Sequence, residues 1–222
     1  MQVAQQTKQE QQEQIDYITQ LGVVPLITLH STQEAIPLAE ALAEGGLPIA
    51  EVTFRSPYAL EGMKLIKEYV SKVTLLAGTV LSIDQAKAAL DAGCAGLVTP
   101  SFNPELVDWA IDNDVLIVPG TATPSDVEQA YDRGLRHVKF FPAEAYGGVA
   151  TLKSLHGPFA DMKFLPTGGI SLTNAPLYLA LNNVFAIGGS FPVPASAQQD
   201  GDWDVIVRNC SKARELVQAI RG

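Results

Sequence analysis

A lysine stands inside the apolar run His137-Val138-Lys139-Phe140-Phe141-Pro142, whereas the other lysines of the nine fall in helical or loop segments or, at Lys163, at the entrance of a strand. Burial disfavours an ammonium and lowers its pKa. An amine held in such a run is therefore either an ion-paired core residue or a nucleophile near neutral pH. A second polar set reads Glu51-Val52-Thr53-Phe54-Arg55. In an extended chain alternate residues share a face, so Glu51, Thr53 and Arg55 look one way and Val52 and Phe54 the other. Glu51 and Arg55 either pair with each other or divide the work, Glu51 moving protons and Arg55 gripping a substrate carboxylate in its rigid fork. Thr79 and the pair Thr99-Pro100, each near the end of an apolar run, extend the same pocket. A third set is glycine-rich: Pro166-Thr167-Gly168-Gly169-Ile170 and Ile187-Gly188-Gly189-Ser190. Paired glycines let backbone N–H groups approach an anion closely.

The elements that must position these groups follow a regular rhythm. Short β-rich runs occur at 23–29, 49–54, 74–80, 95–100, 115–120, 137–142, 163–169 and 183–190, with amphipathic helical stretches between them. Strand–helix–strand alternation favours a parallel sheet, and eight such units favour closure into a (β/α)₈ barrel. In such a barrel alternate strand residues point inward and the active site lies at the strands' C-terminal ends, with phosphate often held after strands seven and eight. Lys139, Glu51, Arg55, Thr79, Thr99, Pro100, Thr167, Gly168, Gly169, Gly189 and Ser190 all fall at those ends. The expected helix starts are Ser31 or Thr32, Ser82, Asn103-Pro104 and Thr123-Pro124, and a last helix covers about 203–220. The stretch after the sixth run, GGVATLKSLHG, is the least certain helix. The chain divides into an N-terminal helical extension, 1–20, and a single barrel domain, 21–222. A doubly wound open sheet is the runner-up, but HSTQEA stands where its glycine fingerprint belongs.

Several function classes are disfavoured. A net charge of −9 repels nucleic acid overall. Cys94 and Cys210 make neither a CxxC pair nor a disulfide framework, which suits a reducing cytoplasm. The Gln-rich start has no apolar core of a signal peptide or membrane anchor and reads as a solvated helix or frayed arm. His30, His137 and His156 lack metal-ligand spacing, so neither a metal nor another cofactor is expected. Trp109 and Trp203 read as packing, Cys94 as a small core residue and His30 as a loop residue.

The segments EVTFR, AGTV, the run around KFFPAE, PTGGI and IGGS, in this order and spacing, resemble the 2-keto-3-deoxy-6-phosphogluconate (KDPG) aldolase family over about residues 15–215. The resemblance implies a (β/α)₈ barrel, a homotrimer, and reversible metal-free cleavage of KDPG to pyruvate and glyceraldehyde 3-phosphate. It makes Lys139 the Schiff-base lysine and Glu51 the proton donor and acceptor. Arg55 and Thr79 would hold the pyruvyl carboxylate, with Thr167, Gly168, Gly169, Gly189 and Ser190 at the aldehyde and phosphate end. Three places depart from the family pattern: Thr99-Pro100-Ser101 for Ser-Pro-Gly, Tyr146 for a small or amide residue, and Thr28-Leu29-His30 where some relatives carry an arginine. The alternatives are a 4-hydroxy-2-oxoglutarate aldolase or another 2-keto acid aldolase, an isomerase or synthase on a phosphate-binding barrel, and a non-catalytic phosphosugar-binding protein.

Overall fold

The computed structural model describes residues 6–222; the first five residues of the expected N-terminal extension lie outside the described residues. Helix α1 (Lys8–Leu21) is capped by Thr7, which forms a reciprocal capping box with Glu10, and it ends at Gly22 in the left-handed region (φ +72°). From there β1 (Val23–Ile27), α2 (Ala35–Glu44), β2 (Ile49–Thr53), α3 (Ala59–Tyr69), β3 (Thr74–Gly78), α4 (Ile83–Asp91), β4 (Gly96–Val98) and α5 (Pro104–Asp112) alternate without interruption. The second half holds β5 (Ile117–Val118), β6 (Gly120–Thr121), α6 (Pro124–Asp132), β7 (His137–Phe140), α7 (Gly148–His156) and β8 (Lys163–Pro166). It closes with α8 (Ala175–Leu179), β9 (Ile187–Gly189), α9 (Ala195–Asp200) and α10 (Trp203–Arg221).

All strand pairs are parallel, in the orders β5-β4-β3-β2-β1-β9 and β6-β7-β8. β5 and β6 are two halves of the barrel's fifth strand, separated by Pro119. Proline has no N–H to give a ladder, but its carbonyl still accepts from Lys139 N (2.8 Å) and carries the sheet across the break. Bridges Phe164–Val184 and Thr167–Gly188 join β8 to β9, so the sheet runs round to its start as a barrel.

Ser82, Asn103 and Thr123 accept helix N–H bonds as their spacing implied, while Ser31 and Thr32 do not. At α2 the N-cap position is Glu34, whose carboxylate turns back to accept from Ser31 N (2.9 Å) and His30 N. A long acidic side chain thus does the work expected of a hydroxyl, by binding the loop before the helix. The uncertain stretch after β7 does form α7.

The two faces of the strands bury different things. Outward residues such as Val52, Ala77, Leu97, Val138 and Phe164 pack beneath the helices. Inward residues Val24, Ile49, Leu76, Val98, Val118 and Leu165 form a second core inside the barrel, and Ile15, Ile18 and Leu21 of α1 close it from below. The N-terminal helix is therefore more than a solvated arm. Three apolar residues at i, i+3 and i+6 plug the barrel floor, each burial contributing roughly 2 kcal/mol. Gln6, just before it, donates to Ala95 O (2.8 Å) and accepts from Leu116 N (3.1 Å), pairing backbone groups at the starts of β4 and β5.

Candidate active site

Along each inward face the apolar floor gives way to polar side chains towards the strands' C-terminal ends. On β2 the inward sequence is Ile49, Glu51, Thr53; on β7 it is His137, Lys139, Phe141. Lys139 Nζ and Glu51 Oε1 meet 2.9 Å apart across the barrel lumen, at 2% and 0% exposure. The ion pair between Glu51 and Arg55 that the sequence left open does not form. Glu51 turns to the lysine, and among the described residues Arg55 has no carboxylate partner. Among the described residues the buried Glu51 Oε2 accepts no hydrogen bond, which leaves one carboxylate oxygen beside the amine free.

Gly78 makes this meeting sterically possible. A Cβ there would lie 2.7 Å from both Cγ and Oε1 of Glu51 and 3.0 Å from Cγ2 of Thr53. Any larger side chain would push the carboxylate out of the path to Lys139. The next residue, Thr79, adopts φ +56°, a left-handed conformation that costs a β-branched residue on the order of 1–3 kcal/mol. Its hydroxyl has no protein partner among the described residues. The Phe141 ring closes another side of the amine, its centroid 5.4 Å from Nζ.

Above the pair, a cleft of about 130 Å³ brings together Arg55, Thr167, Gly168, Gly169, Gly189 and Ser190, with Leu26, Phe141 and Ile170 completing its walls. Gly168 (φ +99°) and Gly169 (φ +79°) turn the chain in the left-handed region. The N–H groups of Gly168, Gly169 and Ser190 meet no acceptor among the described residues. Such a row of amides is an anion cradle. Larger hollows lie elsewhere, one of about 420 Å³ between α1 and the barrel floor, but Lys139 and Glu51 do not touch them.

Thr99 and Pro100 sit differently from the rest. The Thr99 hydroxyl donates to Ser101 O (2.7 Å) and accepts from Gly120 N (3.1 Å), so it braces the loop after β4 against β6. Pro100 backs on to Gly120, where a Cβ would lie 2.4 Å from the Pro100 carbonyl. Neither residue lines the cleft; both shape its surroundings.

Several supporting residues escaped the sequence reading. Ala143 N and Glu144 N donate to Thr167 O (2.8 Å) and Gly168 O (3.1 Å), and Asn174 Nδ2 donates to Gly169 O (2.9 Å). The buried Tyr178 hydroxyl donates to Glu144, and burial together with that carboxylate pushes its pKa up. The Glu144 of the KFFPAE run was visible, but its role needed the β7–β8 contact. Tyr146 is half exposed, with its ring at the surface. Burial pushes the Cys94 and Cys210 thiols up to about 12, which makes both inert at neutral pH. No group of three metal-ligating side chains occurs among the described residues.

The family model for KDPG and KHG aldolase matches residues 15–209. The 2-dehydro-3-deoxy-phosphogluconate aldolase of Haemophilus influenzae is 40% identical over 95% of this chain and 98% of its own length. The KHG/KDPG aldolase of Escherichia coli is 40% identical over 90% of this chain and 92% of its own. Among solved structures, the KDPG aldolase of Legionella pneumophila, with pyruvate captured as a covalent carbinolamine, superposes with a TM-score of 0.87. It is 34% identical and covers 90% of this chain and 97% of its own. With a family model over most of its length and relatives at this identity, the chain belongs to the KDPG and KHG aldolase family.

Proposed function

We propose that this protein is a class I aldolase that reversibly cleaves 2-keto-3-deoxy-6-phosphogluconate to pyruvate and glyceraldehyde 3-phosphate. The observation that carries the reading is the buried 2.9 Å contact between Lys139 and Glu51, directly below a cleft rimmed by anion-binding amides. Lys139 gives a proton to Glu51 and its neutral amine attacks the C2 ketone of the substrate, forming a carbinolamine. Loss of water, with Glu51 returning the proton to the leaving hydroxyl, leaves a protonated imine. That cation accepts the electron pair released when the C3–C4 bond breaks, while Glu51 takes the proton from the C4 hydroxyl. The resulting enamine of pyruvate is reprotonated at carbon and hydrolysed, restoring the amine. The Oε2 atom of Glu51, unpartnered in the protein, is the free base in these steps.

Arg55, at the cleft, and Thr79, with its unengaged hydroxyl, hold the carboxylate of the 2-keto acid in this reading. The glycine amides and Ser190 hold the phosphate. Thr99 and Pro100 contribute the shape of the pocket. Assembly as a homotrimer in the cytoplasm belongs to the same proposal; it is supported by the family resemblance and the two free thiols, and light scattering of the purified protein tests the assembly.

Borohydride reduction in the presence of pyruvate tests the central claim. A reduced pyruvyl group on the peptide containing Lys139 is the expected result. A label on any other lysine overturns the assignment. Comparison of the phosphorylated six-carbon substrate with 4-hydroxy-2-oxoglutarate, on the same enzyme, decides between the two activities of the family: equal efficiency on both removes the phosphate site from the proposal.

A further inference from the structure

On the proposed aldolase reading, one pair of hydroxyls in the barrel mouth has no part yet. β1 lies between β2, which carries Glu51, and β9, which leads to Gly189 and Ser190. A substrate that touches both Glu51 on β2 and the amides after β9 spans the inward face of β1. Leu26 already forms part of the cleft wall. Thr28 has the same parity one pleat nearer the mouth, and its Oγ1 lies 2.9 Å from Thr53 Oγ1.

The direction of that bond can be decided by counting protons. Thr53 is fully buried, and its hydroxyl also lies 3.0 Å from Ile27 O. A hydroxyl has one proton and two acceptor sites. If Thr53 donates to Ile27 O, Thr28 donates to Thr53 and both bonds form. If Thr53 instead donates to Thr28, the contact with the carbonyl is lost and a buried hydroxyl accepts nothing. Leaving buried bonding capacity unused costs more than the reverse order gains, so the first arrangement holds. Thr28, half-buried just above Leu26, then has no proton to offer, and its oxygen is left only as an acceptor. Its backbone is fixed as well, since Nε2 of the buried Gln198, from α9, donates to Thr28 O (2.9 Å).

We infer that Thr28 is a specificity-determining residue, held by Thr53 and Gln198 as an acceptor for the substrate hydroxyl one carbon beyond the cleaved bond. The group it reads is the hydroxyl next to the carbonyl of the aldehyde half, which an aldehyde such as glyoxylate lacks. A neutral donor satisfies this oxygen, while a carboxylate or carbonyl placed there meets lone pairs. The site therefore favours polyhydroxylated chains.

The test is condensation of pyruvate with two aldehydes, glyceraldehyde 3-phosphate and 3-phosphooxypropanal, which differ only in that hydroxyl. The wild-type enzyme should prefer the hydroxylated aldehyde by about ten-fold in kcat/KM, the weight of one hydrogen bond. Thr28→Val, and Thr28→Ala should the valine fold poorly, should bring the ratio close to one. Thr28→Ser should keep the preference. Equal efficiency on both aldehydes in wild type overturns the inference, and so does a Thr28→Val loss that is the same for both, which is the mark of a structural role. Absence of condensation with either aldehyde, together with no pyruvate trapping at Lys139, sinks the aldolase reading itself and this inference with it.

Discussion

The two ends of the barrel are built from the same strands with the same parity, and they are finished in opposite ways. At the floor, Ile15, Ile18 and Leu21 meet Val24, Ile49 and Leu76, and Gln6 pairs exposed backbone at two strand starts. Gln14 Oε1 on α1, a buried oxygen without a partner among the described residues, and Asp114, at φ +53°, are exceptions there. At the mouth Thr79 sits at φ +56°, and among the described residues the buried charge pair keeps one carboxylate oxygen unpartnered, Arg55 has no acid to bind and three amides point at no acceptor. The buried carboxylate oxygen and the left-handed Thr79 backbone cost stability, and the carboxylate, the guanidinium and the amides are groups a ligand would satisfy. An apolar floor sealed by α1 offsets the unsatisfied mouth. Groups left free for a ligand gather at the mouth, while the floor is mainly apolar contact.

That contrast makes the mouth sensitive in rate and the floor sensitive in stability. The largest effect is expected from Lys139→Ala, which should lower turnover to background and abolish borohydride trapping with pyruvate. Lys139→Arg should be equally inactive, because a guanidinium stays protonated and cannot attack. Lys139→Ala should also lower the melting temperature, because it leaves Glu51 buried without its partner, whereas Lys139→Arg keeps a cation beside it; activity surviving in either variant would remove the nucleophile from the mouth.

Glu51→Gln should lower kcat by roughly 10²–10⁴-fold, the range for a lost acid–base group. Arg55→Ala should act chiefly on KM for pyruvate, since it removes grip in ground and transition state alike. Identical kinetic defects in the two would mean that they act as one unit. Gly78→Ala sharpens the point without removing a polar group. Its methyl would lie 2.7 Å from Glu51 Cγ, so displacement of the carboxylate should cost about 10²-fold in kcat with Glu51 intact. Wild-type turnover in Gly78→Ala would show that the carboxylate has more room than the packing implies. At the floor, Ile18→Ala should cost roughly 2–5 kcal/mol in chemical denaturation while kcat of the folded fraction is preserved. A fall in kcat with little loss of stability would reverse the contrast between the ends.

How much of this was legible beforehand depended on how local the signal was. Strand rhythm and the caps at Ser82, Asn103 and Thr123 are short-range patterns, and they read correctly. Parity placed Lys139 and Glu51 on inward faces, yet their contact spans residues 88 apart in sequence, and no local pattern says which acid a buried lysine will find. Arg55 was an equally good partner for Glu51 on paper; strand order across the lumen decided the matter. Gly78 looked like an ordinary small residue until the register set it opposite Thr53, beside the Glu51 side chain. The Gln-rich start concealed α1's function because only three apolar residues, Ile15, Ile18 and Leu21, carry it. Glu34 was missed at α2 because a side chain that bonds backward into its loop mimics no standard cap. Pro119 splits a strand that composition alone reads as continuous.

The smallest effect expected is a matter of pH, and it belongs to the floor. His137 begins β7 one pleat below Lys139, half-buried, its ring edge-on to Phe185 at 5.0 Å between centroids. Burial, helped by the charge of Lys163 and opposed by Asp16 of α1, lowers its pKa from the ordinary 6.5 to about 4. The folded protein thus holds a neutral imidazole across a range in which the unfolded chain takes up a proton. Between about pH 6.5 and pH 4 the unfolded state binds more protons, so folding stability from this group is complete above 6.5 and is lost as the pH falls towards 4. Below 4 both states are protonated and no further loss comes from His137. Chemical denaturation of wild type and His137→Gln across this window isolates the contribution, because the carboxylates that titrate nearby are common to both proteins. The wild-type curve should fall more steeply than the variant's between pH 6.5 and 4, and the two should run parallel above 6.5. Parallel curves throughout would mean that the imidazole titrates alike in both states. The floor would then be open enough to hydrate a charge, and the division between a sealed end and an unsatisfied one would lose its basis.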